Sequence, residues 1–127
     1  MADKKGSILY VEDNASNIEL IEHILSIQRP HIQLTSITQG NLAVQSAIEL
    51  NPDLILLDLD LPDIHGSEVL NRLKAEEKTM GIPVVIISAD AMPQQIQKLL
   101  KAGVKDYLTK PLEIIEFLKI IDKFIVG

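Results

Sequence analysis

Leu54-Ile55-Leu56-Leu57-Asp58 is a run of four aliphatic residues that ends in a carboxylate, with Leu59-Asp60-Leu61-Pro62 behind it. A short unbroken aliphatic run, opened by Pro52-Asp53 and closed by Pro62, reads as a strand buried on both faces, as inside a parallel sheet. Asp58 then stands at that strand's carboxyl end. In open parallel α/β sheets ligands gather in the crevice outside the carboxyl ends of the strands. The rest of the chain is therefore read for what it brings to that edge.

On either side of this strand the chain alternates. Ile8 to Val11 is a second fully apolar run and also ends in carboxylates, Glu12 and Asp13. Asn14 or Ser16 can cap a helix carrying Ile18, Ile21, Ile24 and Leu25, which ends near Arg29-Pro30. Ile32 to Ile37 alternates only partly and suits an edge strand, followed by a helix with Leu42, Val44, Ala47, Ile48 and Leu50 that Asn51-Pro52 stops. After the organising strand and the loop Pro62 to Gly66, a helix carries Val69, Leu70 and Leu73. Val84 to Ile87 runs into Ser88-Ala89-Asp90, and the next helix, with Ile96, Leu99 and Leu100, is closed by Gly103, suited to a left-handed cap. Val104 to Leu108 reads as the last strand. A final helix is expected from about Leu112 to Val126, with Ile114, Phe117, Leu118, Ile121 and Ile125 facing the core and Ile115, Ile120 and Phe124 outside that stripe. Those three suggest either an exposed apolar patch or residues covered by neighbouring loops.

Strict alternation of five strand-helix pairs argues for a doubly wound, five-stranded parallel sheet with helices on both faces. Right-handed crossovers put all the carboxyl ends on one edge. Length and composition agree. The 127 residues suit one domain spanning 1-127, and 46% hydrophobic with 24% charged residues permits a proper core. Twelve Lys and Arg against 18 Asp and Glu leave a net charge of -6, which disfavours direct contact with nucleic acid or an anionic membrane. The absence of cysteine rules out disulfides, thiolate zinc sites and cysteine nucleophiles, and is compatible with a cytoplasmic location. The polar start Met1 to Gly6 does not read as a signal peptide, and no apolar window is long enough to span a membrane.

Glu12, Asp13, Asp58, Ser88 and Lys110-Pro111 thus converge on one edge. Three carboxylates held together repel one another unless a divalent cation holds them, and an all-oxygen set favours magnesium, with manganese as a second possibility, over zinc. A metal, a lysine and a hydroxyl around Asp58 are also what a transferring phosphoryl group needs, with Asp58 as nucleophile.

These residues resemble the receiver domain of two-component response regulators. The pattern is Glu12-Asp13 after the first strand, Asp58 with Pro62 and Gly66, Ser88-Ala89 after the fourth, and Tyr107-Leu108-Thr109-Lys110-Pro111 near the end. The resemblance covers essentially the whole chain. It implies a flavodoxin-like (βα)5 fold with strand order 2-1-3-4-5. It also implies that Asp58 takes a phosphoryl group from a phosphohistidine on a histidine kinase or histidine phosphotransfer protein. Magnesium would be held by Asp13, Asp58, the main-chain carbonyl of Asp60 and, through water, Glu12. Ser88 and Lys110 would bind phosphoryl oxygens, beside Ala89, and Tyr107 would turn inward behind Ser88. The bond before Pro111 would be cis. The signal would reach the face of the fourth helix, fifth strand and fifth helix, which is also a possible homodimer surface. Asp60 and Asp90 add carboxylates beside the phosphorylation site, leaving the lifetime of the phospho form open.

Each residue alone has a plainer reading: Asp58 as a cap, Glu12-Asp13 as a solvated turn, Ser88 as a loop hydroxyl, Lys110 as a surface lysine, Tyr107 as a half-buried aromatic with no switching role. His23, His31 and His65 lack a catalytic or metal spacing, and Asp63 reads as loop polarity. Three other functions compete. The pair Asp58-Leu59-Asp60 resembles that of haloacid-dehalogenase-like phosphatases, although Pro62 and the position after the third strand fit that family poorly. A receiver-like docking module would never be phosphorylated. A nucleotide binder would need a glycine-rich loop after the first strand, and none is present. No turnover of an external substrate is expected. Both a complete single-domain regulator and a piece of a hybrid kinase or longer regulator are compatible with the sequence.

Overall fold

The computed structural model describes residues 6–90 and 92–125. The readings of Met1 to Lys5 as a polar lead-in and of Val126 as the end of the last helix lie outside the described residues. The elements are β1 (Gly6–Val11), α1 (Ala15–Gln28), β2 (Ile32–Ile37), a 3-10 turn (Gly40–Leu42), α2 (Ala43–Leu50), β3 (Leu54–Leu57), α3 (Gly66–Ala75), β4 (Val84–Ser88), α4 (Pro93–Lys101), β5 (Asp106–Thr109) and α5 (Ile114–Phe124). All four strand pairings are parallel, and the order is β2-β1-β3-β4-β5. β2 lies at an edge, as its weaker apolar pattern predicts. The fifth strand begins two residues later than expected, at Asp106, and Val104 is buried ahead of it.

The period of two along each strand explains why the stretches Ile8–Val11, Leu54–Leu57 and Val84–Ile87 are apolar at every position. Ile8, Tyr10, Leu54, Leu56, Val85 and Ile87 point into one core with α1 and α5. Leu9, Val11, Ile55, Leu57, Val84 and Ile86 point into another with α2, α3 and α4. Each aliphatic or aromatic side chain so buried contributes roughly 1.5–3 kcal/mol of transfer free energy.

Local signals set the helix ends. Asn14 caps α1, its side chain accepting the Asn17 N–H at 3.0 Å. Asn51 ends α2 in the left-handed region at φ 46°, and Gly103 follows α4 at φ +112°. Thr79, buried beyond α3, donates its hydroxyl to the Leu73 carbonyl at 2.6 Å, a closure for which the sequence offered no periodic signal.

Two helices pack differently from the sequence reading. α2 buries Ala43 and Ala47, while Leu42 and Leu50 are exposed. The helix meets the sheet through its small residues, and its leucines stand at its ends. α5 buries Phe117, Ile120 and Ile121, with Ile125 just past its end. Ile120 thus belongs to the core, Phe124 packs half-buried against it, and Ile114, expected inside, is 49% exposed. The 3.6-residue phase explains this: 117, 120, 121 and 124 share one face. Ile114, in the first turn, lines a shallow groove with Ile24 and Ile27 of α1. Only Ile115, 70% exposed, matches the expected apolar patch of that trio.

Candidate functional site

The parallel ladder extends one residue past β1, β3 and β5, and these extra rungs carry the site. The Asp58 N–H donates to the Val11 carbonyl at 3.0 Å, Glu12 N–H to Ile37 at 3.0 Å, and Lys110 N–H to Ser88 at 2.9 Å. Side chains held this way project from rigid backbone, which a catalytic arrangement needs. Glu12 and Asp58 are 1% and 3% exposed and Ser88 is fully buried, while Asp13 faces solvent. Glu12, Asp13 and Asp58 each present a carboxylate oxygen within 4.8 Å of the others. Lys110 Nζ reaches two of them, 3.0 Å from Glu12 Oε1 and 3.3 Å from Asp58 Oδ2. The Lys110-Pro111 peptide bond is cis.

Two partners of Glu12 escaped the sequence reading. Its Oε1 accepts from the Tyr10 hydroxyl and from Asn17 Nδ2, each at 3.1 Å. The signal for Tyr10 was parity, because residues two apart in a strand share a face. Asn17 lies in the first turn of α1, and only folding brings it over the strand end.

Electrostatics follow from this crowding. Burial, and then contact with Glu12, push the Asp58 carboxyl up to about 7. Burial also works to raise Glu12, but hydrogen bonds from Asp58, Lys110 and Tyr10 outweigh it and hold Glu12 below its ordinary value. Lys110 is held above the usual lysine value: burial opposes its charge, and the two carboxylates overcome that. Burial, followed by the nearby Glu12 charge, pushes the Tyr10 hydroxyl up, so it remains a donor. Without a cation, Asp58 therefore gives up its proton only near neutral pH. An all-oxygen donor set with one lysine against two buried carboxylates and an exposed third fits a hard divalent cation, whose charge would replace that proton.

Around this centre, Asp60 is exposed, and its N–H donates to Asp58 Oδ1 at 3.2 Å. Gly66 is required by close approach, since a Cβ there would lie 2.6 Å from the Asp58 carbonyl oxygen. Ala89 is exposed beside Ser88. Ser88 Oγ accepts the Asp90 N–H at 3.1 Å, and the half-buried Tyr107 donates its hydroxyl to the Asp90 carbonyl at 2.7 Å. His65 caps α3 by accepting the Ser67 N–H at 3.1 Å. Asp63, read as loop polarity, instead accepts the N–H groups of Gly40 and Asn41 at 2.9 and 2.8 Å.

Fold and site together define a flavodoxin-like α/β domain with an acidic cleft at the carboxyl edge of its sheet. The model of the response regulator receiver domain matches residues 8–122, and the chain belongs to that family. It is 32% identical to the polar-differentiation response regulator DivK of Brucella ovis, over 94% of this chain and 95% of that protein. It is 37% identical to the signal transduction histidine-protein kinase BarA of Escherichia coli K12 over 84% of this chain, which corresponds to 11% of the length of that kinase. The receiver domain of the sensor histidine kinase PA1611 from Pseudomonas aeruginosa PAO1 superposes with a TM-score of 0.84 at 31% identity, covering 98% of this chain and all of that one. That structure holds a magnesium ion in its active site cleft. Receiver domains are signalling modules of two-component systems. Among the described residues no helix is long and apolar enough to cross a membrane.

Proposed function

We propose that residues 1–127 form one receiver domain in which Asp58 is the phosphoacceptor. The observation that carries this is the buried Asp58 carboxylate, placed between Lys110 Nζ at 3.3 Å and the carboxylates of Glu12 and Asp13. An Asp58 oxygen attacks the phosphorus of a phosphohistidine on a partner histidine kinase or phosphotransfer protein. A P–O bond forms, the P–N bond breaks, and the imidazole leaves with that electron pair and takes up a proton. Asp13, Asp58 and the main-chain carbonyl of Asp60 would hold magnesium or manganese, with Glu12 acting through water. A bound cation would supply positive charge that displaces the proton from Asp58 and neutralises phosphoryl oxygens. Lys110 neutralises another of those oxygens, and Ser88 donates its hydroxyl to a third.

The backbone of Asp90 links this chemistry to the surface. Its N–H is held by Ser88 Oγ and its carbonyl by the Tyr107 hydroxyl. Drawing Ser88 toward a phosphoryl oxygen releases that N–H, shifts Asp90 and frees Tyr107 to turn inward. The face of α4, β5 and α5 changes with it and carries the output, including self-association. No external substrate is turned over.

The donor protein approaches over a cleft of about 170 Å³ beside Lys110, lined by Leu20, Ile21, Ile87, Pro111 and Leu112. Apolar side chains next to Lys110 suit a helix that presents the phosphohistidine.

Intact-mass spectrometry after incubation with a small-molecule phosphodonor tests the reading. One added phosphoryl group that needs magnesium and is lost in Asp58→Asn is the expected result. An unmodified native chain would leave a docking module as the function.

A further inference from the structure

The loop that follows Asp58 is held at two ends by different means. Near Asp58 it closes on itself: Gly66 N–H donates to the Leu59 carbonyl at 2.8 Å, and Asp60 N–H to Asp58 Oδ1 at 3.2 Å. Farther out, Asp63 reaches another part of the sheet's edge. Its two carboxylate oxygens take the Gly40 and Asn41 N–H groups, one each, at 2.9 and 2.8 Å. Among the described residues these are the only hydrogen bonds that tie residues 60–65 to an element other than α3 and the loop itself. The receiving turn is braced in its own right, because Arg72 of α3 donates to Asn41 Oδ1 at 2.8 Å. Gly40 is packed tightly: a Cβ there would lie 2.7 Å from Val69 Cγ2 and 2.8 Å from Ile64 Cγ1. The backbone donors, Asn41 first, hold the exposed Asp63 carboxyl below its usual value, so the anchor stays charged at neutral pH.

We infer that Asp63 is a positioning residue for the divalent cation: by pinning residues 60–65 to the Gly40–Leu42 turn, it fixes the main-chain carbonyl of Asp60 as a ligand. This rests on the metal site of the proposed function. A carbonyl ligand has no rotamer to adjust, so its position depends entirely on the path of the loop. Pro62 restricts that path from within, and Asp63 holds it from outside. Losing a residue that orients a metal ligand typically weakens binding by about 10- to 100-fold. An exposed tie on a loop also held by Leu61 and Ile64 belongs at the low end, about tenfold.

The experiment is magnesium titration by calorimetry of the native chain, Asp63→Asn and Asp63→Ala, each first shown to be folded by its melting curve. Expected is a dissociation constant about tenfold higher for Asp63→Ala, with Asp63→Asn in between because its one carbonyl oxygen keeps one of the two bonds. With a small-molecule phosphodonor, the magnesium concentration for half-maximal phosphorylation rises in parallel, while the rate at saturating magnesium is unchanged. A lower melting temperature with an unaltered dissociation constant would reduce Asp63 to a structural tie and overturn the inference alone. Failure of the native chain to bind magnesium would overturn the proposed metal site, and the inference with it.

Discussion

Two ionic arrangements sit at different places in this fold and have opposite character. Between the end of α1 and α5, Arg29 grips Asp122 in a two-pronged contact, Nε to Oδ1 at 2.8 Å and Nη2 to Oδ2 at 2.7 Å, with Asp122 exposed and Arg29 half-buried at the surface. At the carboxyl edge, Lys110 meets two buried carboxylates at 3.0 and 3.3 Å, and the exposed Asp13 carboxylate completes the acidic group. The surface pair has the better geometry and balanced charge, while the buried group has looser geometry and a surplus of negative charge. A fold optimised only for stability would not bury unbalanced carboxylates. Local destabilisation of this kind marks a site kept for chemistry.

The sharpest way to break this contrast is Asp58→Asn. It removes a buried negative charge while keeping the shape, so phosphoryl gain should vanish, and the metal-free protein should become more stable at neutral pH by about 1–2 kcal/mol. For a domain of this size that is a rise of roughly 4–8 °C in melting temperature, measured in chelator. The sign with pH follows from the raised value of Asp58. A group at about 7 in the fold and 3.8 outside it leaves full stability below its unfolded value, and stability falls as pH rises through about 7. The advantage of Asp58→Asn should therefore be absent near pH 3 and complete by pH 8. An equal advantage at both would refute the charge argument.

A stability effect of similar size and opposite sign, with phosphoryl gain retained, is expected from Tyr10→Phe, which removes one donor from the buried Glu12 and leaves the ring in the core. Loss of about 1–2 kcal/mol in urea unfolding of the metal-free protein would fit a hydrogen bond to a charged acceptor. For the donor-docking cleft, Leu20→Asp should slow phosphorylation by a protein donor about tenfold, the equivalent of roughly 1.4 kcal/mol, and leave the rate with a small-molecule donor as it was. Equal slowing with both donors would place the fault at Asp58 instead.

The sheet order and the strand-end residues were legible in the sequence because they depend on local patterns. Fully apolar runs mark central strands, and residues directly after them fall on one edge by chain direction alone. Asn17 and Asp63 were not legible as partners, because each acts across elements: Asn17 onto Glu12, Asp63 onto the Gly40–Leu42 turn, whereas Tyr10 was open to recognition by its two-residue spacing from Glu12. The α5 stripe was misphased because an isoleucine-rich helix offers several apolar faces, and Ile114 and Ile120 could be told apart only by what lies opposite them. In α2 the large apolar residues drew the eye, while the buried positions are alanines.

The surface pair supplies the smallest and most discriminating test. Asp122 is held below its usual value chiefly by its hydrogen bonds from Arg29. Its contribution is therefore present above the unfolded carboxylate value and is lost as pH falls through the lower folded one. With Asp122 exposed and Arg29 only half-buried, Asp122→Asn should cost no more than about 0.5–1 kcal/mol at pH 7 in low salt. The difference should shrink in 1 M salt, where the Debye length is about 3 Å, and disappear near pH 2. The effect of Asp58→Asn should survive the same salt, because its partners are buried. If high salt instead abolished both effects equally, the edge cluster would be screened like a surface pair, and burial could not be what sets Asp58 apart from Asp122.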